Sequence, residues 1–520
     1  MSQFILQYKK LLFLILFCLL IWFLFTFKIT DVPPGINGDE ASIGYNAYSI
    51  LQTGKDEWGD FLPIHFRAFG EFKLPIYIYS VVVTEKLFGL SELSIRLPSI
   101  MFSIGSVILL YFITLKIYSK KSIALFSSFF LTTSSWYFIF SRTGYEATAG
   151  LMFFLLGIYL FFLISKNLLF IFLAIFSFIV SMYSYNSFRI IVPLTLFILV
   201  IFFRKSLSKN LLKTLTTGLC AIILLVLAII PIFRLIYLDA GLSRYQSVSL
   251  SNNGNLIDSI AVISKNYLLH FSPNFLFIKG DQNFRSQQKD FGQMYIVELP
   301  LFLLGLLFIL KQKKIIYWLP LLLLLLGPIP AAITKESPHA LRAISMTPFV
   351  AILSALGVYY VGEKIKWRNY FYTIVVLLFL LFFGNYFINF INNYSNYSAS
   401  DWQYGYKQIF QTYKNDFENY DFILISDYFG QPYIFGLFYL NYNPEKFLSS
   451  VQYNSVDKWG FSKVSGFDKF IFSNVNLKNL ISGKYLIFSS EKEKIIEIIE
   501  KNIIKNPDGT IAFYVYEYQK

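Results

Sequence analysis

The sequence predicts a polytopic α-helical membrane protein that carries a small α/β domain at its C-terminal end. The 520 residues are 56% hydrophobic and 20% aromatic but only 15% charged, and the mean hydropathy is +0.55. Long apolar runs recur until about residue 390, and the character of the sequence then changes to short strand-like segments. A soluble globular protein does not have this composition, so the class is a membrane protein.

A helix needs roughly 20 apolar residues to cross a bilayer, with about 17 as a lower limit. About eleven segments approach this length and are predicted as transmembrane helices. They are residues 11–27, 97–117, 122–140, 147–164, 168–183, 188–203, 215–236, 295–310, 315–332, 344–361 and 370–390. Residues 74–87 are also apolar, but this segment is short, begins beside Pro75 and contains Glu85 and Lys86. We interpret it as a helix that lies in the membrane interface.

The formal net charge is +14, and the basic residues stand in short clusters between apolar runs. Such clusters mark cytoplasmic loops, so the charge describes topology and gives no reason to expect nucleic acid as a partner. Lys9 and Lys10 precede the first span, and further clusters follow at Lys120 and Lys121 and between residues 311 and 314. With eleven spans, this bias predicts a multi-pass plasma-membrane protein whose N-terminus is cytoplasmic and whose C-terminus is extracytoplasmic.

The domain prediction follows from this topology. Residues 1–395 form the transmembrane domain, with outer loops at 28–96 and 237–294, and residues 396–520 form the C-terminal extracytoplasmic α/β domain. The loop 237–294 is predicted to be irregular because Ser and Asn are frequent in it. In the tail, residues 422–425, 485–488 and 511–518 have strand character, and residues 491–505 have isoleucines at roughly helical spacing. Acceptor recruitment is one hypothesis for the role of this domain.

Asp39 and Glu40 are adjacent acids at the predicted outer end of the first span. A carboxylate within hydrogen-bonding distance of a hydroxyl can accept its proton, which makes the oxygen a better nucleophile. An alternative is that Asp39 caps a helix that begins near Ala41, because Asp is a preferred N-cap and Glu suits a first helical turn. The two roles are compatible.

The order of several short motifs resembles that of the GT-C membrane glycosyltransferases, in particular the branch of protein O-mannosyltransferases and aminoarabinose transferases that use polyprenyl-phosphate sugars. The resemblance covers roughly the first two hundred residues, and no single motif is decisive. The motifs are Gly38-Asp39-Glu40, Lys73-Leu74-Pro75-Ile76-Tyr77, Ser94-Ile95-Arg96-Leu97-Pro98-Ser99, Ser141-Arg142-Thr143-Gly144-Tyr145-Glu146 and, later in the chain, Ser337-Pro338-His339-Ala340-Leu341-Arg342.

This resemblance implies an inverting glycosyltransferase, either a hexosyl- or a pentosyltransferase. It would move a sugar from a polyprenyl-phosphate donor in the bilayer to a hydroxyl of an unidentified protein, lipid or glycan. Asp39 and Glu40 are then the candidate catalytic acids, with Asp39 as the base. Cations must neutralise the leaving phosphate, and Arg and Lys provide such charge. The candidates at predicted outer membrane edges are Lys73, Arg96, Arg142 and Arg342.

Each cation also has a simpler interpretation. Arg96 precedes a span and could anchor its end at the headgroups, and the same holds for Lys73 and Arg342. Arg142 and Glu146 are four residues apart and could form an ordinary helical ion pair. Residues of suitable type near the motifs are candidates to line the site: Tyr45, Tyr48, His65, Glu71, Glu146 and His339.

No cofactor is expected, and a divalent metal is possible but has no support from ligand spacing. The three histidines are far apart, and a spacing such as His-x-x-x-His is absent. Glu71 and His339 would be the least implausible ligands. Cys18 and Cys220 both lie in apolar runs, so no disulfide is predicted.

The main alternative function is a transporter or flippase of lipid-linked sugars. Such a protein places ionisable residues near the membrane midplane, within broken helices. Here the charges inside predicted spans, such as Lys116 and Glu298, lie near the span ends, while acids accumulate on one surface. This distribution favours chemistry at the surface.

Overall fold

The computed structural model describes residues 15–208, 211–238, 256–455, 463–475, 480–493 and 498–520. Lys9 and Lys10, the beginning of the first predicted span and residues 239–255 of the second predicted outer loop lie outside the described residues. The described residues form two compact units. The helical unit lies within Met1–Ile29, Pro98–Leu235 and Tyr245–Ile388, and the mixed unit lies within Thr30–Leu97, Ile236–Arg244 and Asn389–Lys520.

The elements are numbered along the chain. The α-helices are α1 Ile15–Thr26, α2 Gly38–Thr53, α3 Pro75–Phe88, α4 Glu92–Tyr118, α5 Lys121–Thr133, α6 Ser135–Ser141, α7 Ala147–Phe161, α8 Phe170–Met182, α9 Phe188–Ser208, α10 Leu211–Leu238, α11 Leu256–Leu269, α12 Glu298–Leu310, α13 Leu319–Leu326, α14 Ile329–Ala332, α15 Thr347–Gly362, α16 Arg368–Ser398, α17 Tyr404–Thr412, α18 Pro432–Tyr439 and α19 Pro444–Ser450. The strands are β1 Phe66–Ala68, β2 Glu71–Lys73, β3 Phe422–Ile425, β4 Gln452–Tyr453, β5 Val464–Phe467, β6 Phe470–Phe472, β7 Lys484–Ser489, β8 Ile499–Lys505 and β9 Ile511–Gln519.

Helical structure is present at each of the eleven predicted span positions. By length and composition, four helical segments among the described residues are apolar enough to cross a membrane: α4, Ile315–Ala332, Ile344–Gly362 and α16. Helices α5 and α6 add a fifth if this pair, which is bent by 63°, counts as one span. The class of a polytopic helical membrane protein is therefore confirmed, while the number of eleven spans stays a prediction.

Two glycines bring α12 and α15 into close contact within the helical unit. A Cβ on Gly305 would collide with the carbonyl of Leu353, and a Cβ on Gly357 would collide with the carbonyl of Leu301. Small residues allow such approach of two helix backbones, which is a common way to pack apolar helices in lipid.

Two secondary-structure predictions hold only in part. Residues 74–87 do form a helix, α3, and its position in the membrane interface stays a prediction. The segment 237–294 is not simply irregular, because it contains α11 and a π-helical turn at Asn274–Ile278. Helix α11 carries Leu256, Ile257 and Ile260 beside Asp258 and Lys265, an apolar pattern that the Ser and Asn content obscured.

The tail of the mixed unit contains a seven-stranded sheet in the order β4-β5-β6-β3-β7-β9-β8. The central strand β3 is parallel to β6 and β7, and the remaining pairs are antiparallel. The predicted strands at 422–425, 485–488 and 511–518 are present as β3, β7 and β9. The predicted helix at 491–505 is wrong in its described part, because residues 499–505 form the edge strand β8 beside β9. Pairing with β9 overrides the helical spacing of these β-branched residues.

The first outer segment packs against the tail within this unit. Gly44 on α2 lies so close to Ile95 and Phe438 that an added Cβ would be 2.7 Å from the first side chain and 2.9 Å from the second. The start of α4 and the tail helix α18 therefore both contact the helix that carries Asp39 and Glu40.

Candidate functional site

The acidic pair lies in the first turn of α2. Helix α2 begins at Gly38, and its N-cap is Asn37. The side-chain oxygen of Asn37 accepts a 3.0 Å hydrogen bond from the N–H of Glu40. Asp39 is therefore not the N-cap of a helix that begins near Ala41. Both acids lie where the partial positive charge of a helix N-terminus stabilises a carboxylate.

Glu40 and Arg96 form a fully buried, bidentate ion pair. Arg96 donates from Nε to Oε1 at 3.1 Å and from Nη2 to Oε2 at 3.0 Å. The same guanidinium donates to the carbonyls of Pro33 and Gly35 and lies 5.6 Å from the ring centre of Trp402. These contacts engage both carboxylate oxygens of Glu40, so the pair organises the turn and leaves Asp39 as the more accessible of the two acids.

Asp39 is the exposed member of the pair. Its side chain is 36% accessible, and Oδ1 accepts a 2.7 Å hydrogen bond from Nζ of Lys73, whose side chain is only 3% accessible. Lys73 ends β2, which pairs with β1 in a short antiparallel hairpin, and its ammonium lies 6.0 Å from the ring centre of Phe69. The structure thus joins Asp39 and Lys73, two of the candidate residues from the sequence, in an ion pair whose carboxylate is accessible.

A glutamine of the tail holds the N-terminus of α2. The N–H of Gly38 donates to Oε1 of Gln403 at 2.8 Å, and Nε2 of Gln403 donates to the carbonyl of Phe429. Gln403 has a left-handed backbone with φ of 53°, a conformation that costs free energy in a residue with a Cβ. Sequence reasoning did not select Gln403, because nothing in its local sequence reveals a contact 365 residues away.

Glu57 is a second buried acid that sequence reasoning did not select. Its N–H donates to Oδ1 of Asn46 at 3.0 Å, and its Oε2 lies 3.5 Å from the hydroxyl of Tyr433. Burial, together with the neighbouring Asp56, raises the pKa of Glu57 to about 8. Burial also raises the pKa of Asp56 to about 6. Glu57 is therefore mostly protonated at neutral pH.

The candidate lining residues of the mixed unit differ in environment. Tyr45 is buried and donates to the carbonyl of Tyr442 at 3.1 Å, a contact that serves packing against the tail. Tyr48 and His65 are partly exposed, and the ring of Tyr48 lies 6.1 Å from that of Tyr45. Glu71 begins β2 and is paired in register with Ala68.

Arg142 belongs to the helical unit and is fully buried. It donates to the carbonyls of Leu24, Phe25 and Phe27 at 3.0, 3.1 and 2.6 Å. These carbonyls lie at the C-terminal end of α1, where backbone acceptors have no partner within the helix. Helix α6 ends before Arg142, and α7 begins after Glu146, so the interpretation of these two residues as a pair on one helix is wrong.

Arg342 and His339 lie in another polar cluster of the helical unit. Arg342 donates to Oγ1 of Thr334 at 2.8 Å and to Oε2 of Glu336 at 3.2 Å, and its side chain is 14% accessible. Nδ1 of His339 is 3.7 Å from Oδ2 of Asp281. Arg342 is thus a partly accessible cation beside an exposed acid.

Asp281 and His270 fix the backbone around His339. The N–H of Ala340 donates to Asp281 at 2.6 Å, and the N–H of His339 donates to Nε2 of His270 at 3.2 Å. Nδ1 of His270 lies 2.9 Å from the carbonyl of Asn266, and burial lowers the pKa of His270 to about 4, so this ring is neutral. Within the part of the chain that the structure describes, no three His, Cys, Asp or Glu residues are grouped to hold a metal ion.

The fold is that of a helical membrane protein, and its polar clusters lie in both the helical and the mixed unit. No protein-family model matches the chain, and no curated protein matches it significantly in sequence. Apo ArnT from Cupriavidus metallidurans is similar to the chain in structure, with a TM-score of 0.51 and 11% identity over 84% of this chain and 85% of ArnT. The GT-C resemblance is confirmed at the level of the fold.

Two further solved structures align less closely. ArnT from the same organism bound to undecaprenyl phosphate has a TM-score of 0.43 and 11% identity over 68% of this chain and 60% of that chain. The Archaeoglobus fulgidus oligosaccharyltransferase tethered to an acceptor peptide has a TM-score of 0.49 and 13% identity over 83% of this chain and 63% of that chain. The chain thus spans less than two thirds of the length of each of these two proteins.

Arg96→Leu should destabilise the protein by about 3–5 kcal/mol, because it leaves the buried carboxylate of Glu40 without its cation. The double variant Arg96→Leu/Glu40→Leu should recover most of this loss. Thermal unfolding of the detergent-solubilised protein measures both. Arg368→Leu is the control, since the Arg368–Glu363 pair is exposed and should contribute less than about 1 kcal/mol. Equal stability of Arg96→Leu and Arg368→Leu would contradict the role of the buried pair.

Gln403→Leu should destabilise the mixed unit by about 1–3 kcal/mol, because the N–H of Gly38 loses its acceptor. The control is Gln411→Leu on α17, where the side chain is exposed and the change should be nearly neutral. Hydrogen exchange of the Gly38 amide, measured by mass spectrometry on peptides that cover α2, should accelerate only in Gln403→Leu. Unchanged exchange there would show that the hydrogen bond does not support the turn.

Glu57 should make the stability of the protein fall as pH rises. The folded protein keeps the Glu57 proton until about pH 8, whereas an unperturbed Glu loses it near 4.5, so the unfolded state binds fewer protons between these values. In Glu57→Gln the unfolding temperature should decline less across this window. Glu445→Gln, at an exposed acid of the same unit, should keep the wild-type profile. If the unfolding temperatures of wild type and Glu57→Gln changed with pH in the same way, the pH dependence would not come from Glu57.

Proposed function

We propose that this protein is a membrane glycosyltransferase that moves a sugar from a polyprenyl-phosphate donor to a hydroxyl group of an acceptor. One observation carries the proposal: the acidic pair is divided into a buried acid locked by Arg96 and an accessible acid, Asp39, bound to the buried ammonium of Lys73. This arrangement leaves one carboxylate at a surface beside a positive charge. A base and a phosphate-neutralising cation are the two groups that such a transfer needs.

In the proposed reaction, Asp39 accepts the proton of the acceptor hydroxyl as its oxygen attacks the anomeric carbon of the sugar. The new carbon–oxygen bond forms while the bond from that carbon to the phosphate oxygen breaks. The electron pair of the broken bond leaves with the lipid phosphate. A single displacement of this kind inverts the configuration at the anomeric carbon, and the ammonium of Lys73 stabilises negative charge beside Asp39.

The lipid part of the donor has separate support. ArnT, whose apo structure shares the fold, has also been crystallised with undecaprenyl phosphate. We take a polyprenyl phosphate as the carrier for the present protein on that basis. Lys73 is our candidate phosphate ligand in the mixed unit, and the partly accessible Arg342 is our candidate in the helical unit. Arg96 and Arg142 are assigned structural roles, because both guanidinium groups are fully buried and hydrogen-bonded to protein acceptors.

The remaining assignments are part of the same proposal. The charge bias of the loops supports a cytoplasmic N-terminus, an extracytoplasmic C-terminus and a reaction on the outer face. The transmembrane domain corresponds to residues 1–395 and the outer α/β domain to residues 396–520. Arg and Lys side chains supply the positive charge for the phosphate, so we expect transfer to persist in the presence of a metal chelator.

Asp39→Asn should lower the transfer rate by about 10²–10⁴-fold, because the amide cannot accept the acceptor proton. Purified protein in lipid vesicles is assayed with a panel of radiolabelled polyprenyl-phosphate sugars, and donor binding is measured in parallel and should persist. Asp60→Asn, at an exposed acid of the same outer segment, should keep wild-type turnover.

Full activity of Asp39→Asn would require a different base. Wild-type protein that turns over no donor, but carries a lipid-linked sugar across the vesicle membrane, would replace the proposal with the transporter alternative.

A further inference from the structure

Three consecutive residues of the loop between α2 and β1 carry buried polar atoms that have no hydrogen-bond partner within the described part of the chain. These atoms are Oδ2 of Asp56, Oε1 of Glu57 and Nε1 of Trp58. Asp56 and Glu57 are only 0% and 2% accessible. Buried polar atoms of folded proteins are almost always hydrogen-bonded, because an unmade bond costs free energy. Three such atoms in one turn therefore indicate a partner from outside the protein chain.

Helix α2 adds a fourth unpartnered atom beside this loop. Ser49 is fully buried, and its Oγ has no hydrogen-bond partner among the described residues. Ser49 follows Asn46 by three residues, so the two share one face of α2. Oδ1 of Asn46 accepts the N–H of Glu57 at 3.0 Å, so this face is turned towards the loop. Because Ser49 is not an acid, it is evidence for a polar ligand that is independent of the two carboxyl groups.

The remaining contacts of the loop hold these atoms in place. Oδ1 of Asp56 accepts hydrogen bonds from the N–H groups of Trp58 and Asp60, both at 2.9 Å. The ring of Trp58 stacks on that of Tyr453 in β4, with centroids 4.9 Å apart and planes inclined by 16°. The guanidinium of Arg67 lies 5.9 Å from the Trp58 ring centre. Tyr453 is 40% accessible, so this side of the loop reaches the surface.

The hydrogen-bonding capacity of the four atoms limits the class of ligand. The indole N–H of Trp58 can only donate, a carboxylate oxygen of Asp56 accepts, and the hydroxyl of Ser49 does both. A cation would face the indole N–H and the guanidinium of Arg67, and an anion would face two carboxyl groups. Hydroxyl groups both donate and accept, so a ring that carries several of them matches the set. Aromatic side chains with a few converging polar groups are typical of sites for small molecules.

The cluster is a neighbour of the Asp39–Lys73 pair within the mixed unit. The positive charge of Lys73 acts on the carboxyl group of Glu57. The ring of Phe69 lies 6.0 Å from the Lys73 ammonium and packs edge-on against Tyr433, whose hydroxyl is 3.5 Å from Oε2 of Glu57. In a polyprenyl-phosphate sugar the sugar is bonded directly to the phosphate. A phosphate held by Lys73 would therefore bring the sugar beside this cluster.

We propose that Ser49, Asp56, Glu57 and Trp58 form the subsite that binds the hydroxyl groups of the transferred sugar, and that this sugar is neutral. The inference rests on the proposed function, in which Lys73 binds the phosphate of the donor. These four residues then select the sugar, whereas Asp39 and Lys73 act at the bonds that form and break.

A double-mutant cycle between protein and donor tests the subsite. Isothermal titration calorimetry measures the binding of citronellyl phosphate, free or bonded to glucose, mannose, galactose, arabinose or glucosamine. The proteins are the full-length wild type, Asp56→Asn and Trp58→Phe in detergent. Deoxy analogues of the neutral sugar that binds best, each without one hydroxyl, complete the panel. Asp60→Asn and Trp367→Phe are the matched controls, since both side chains are exposed, and transfer by the wild type is measured separately in vesicles.

The wild type should bind one neutral-sugar donor at least about 10-fold more tightly than free citronellyl phosphate, because the sugar satisfies the buried atoms. Trp58→Phe and Asp56→Asn should each lose about 10-fold in affinity for this donor. The deoxy analogue that lacks the hydroxyl bound by Trp58 should bind weakly to the wild type and no more weakly to Trp58→Phe. Binding of free citronellyl phosphate should be the same in all variants, which excludes a general loss of folding.

Three results would overturn the proposal. If the wild type transfers sugar but Asp56→Asn and Trp58→Phe keep all its sugar preferences, the subsite is wrong and the proposed function stands. If the glucosamine donor binds best and this preference depends on Asp56, the assignment to a neutral sugar is wrong. If the wild type neither binds nor transfers any sugar, the subsite and the proposed function fail together.

Discussion

The buried pair of Glu40 and Arg96 is the constraint on which the candidate site depends. It joins the first turn of α2, the turn at Pro33 and Gly35, the start of α4 and the ring of Trp402. Two charges removed from water are stable only with near-complete pairing, so these elements cannot shift independently. One acid of the adjacent pair is thereby fixed inside the protein, and Asp39 becomes the acid at the surface.

The tail supports the first outer segment through polar contacts as well as through packing. Gln403 accepts a hydrogen bond from the N–H of Gly38, and the carbonyl of Tyr442 accepts one from the hydroxyl of Tyr45. The hydroxyl of Tyr433 lies 3.5 Å from the carboxyl of Glu57. A truncation before Trp402 would remove these contacts and Trp402 together. Its effect on transfer would therefore not separate acceptor recruitment from support of the acidic turn, whereas the single substitution at Gln403 does.

Buried titratable groups serve different purposes in the two units. In the helical unit, neutral His270 and the carboxylate of Asp281 hold backbone amides of the His339–Arg342 motif, which leaves Arg342 as the accessible charge. In the mixed unit, Glu57 is buried beside the hydroxyl of Tyr433, and burial raises its pKa to about 8. The first arrangement fixes a loop, and the second makes the stability of the outer segment depend on pH.

The sequence by itself determined the membrane class, helical structure at the predicted span positions and three tail strands, and it selected Asp39, Glu40 and Lys73 as candidates, because hydropathy, periodicity and short motifs are local properties. Only the tertiary structure decided that Arg96 and Arg142 are buried, that burial raises the pKa of Glu57 and that Gln403 accepts a hydrogen bond from the N–H of Gly38. Each of these depends on contacts between residues distant in the chain. Strand β8 illustrates the same limit, since its isoleucines have helical spacing but pair with β9. Burial and long-range pairing set the charge and role of a side chain, and local patterns do not encode them.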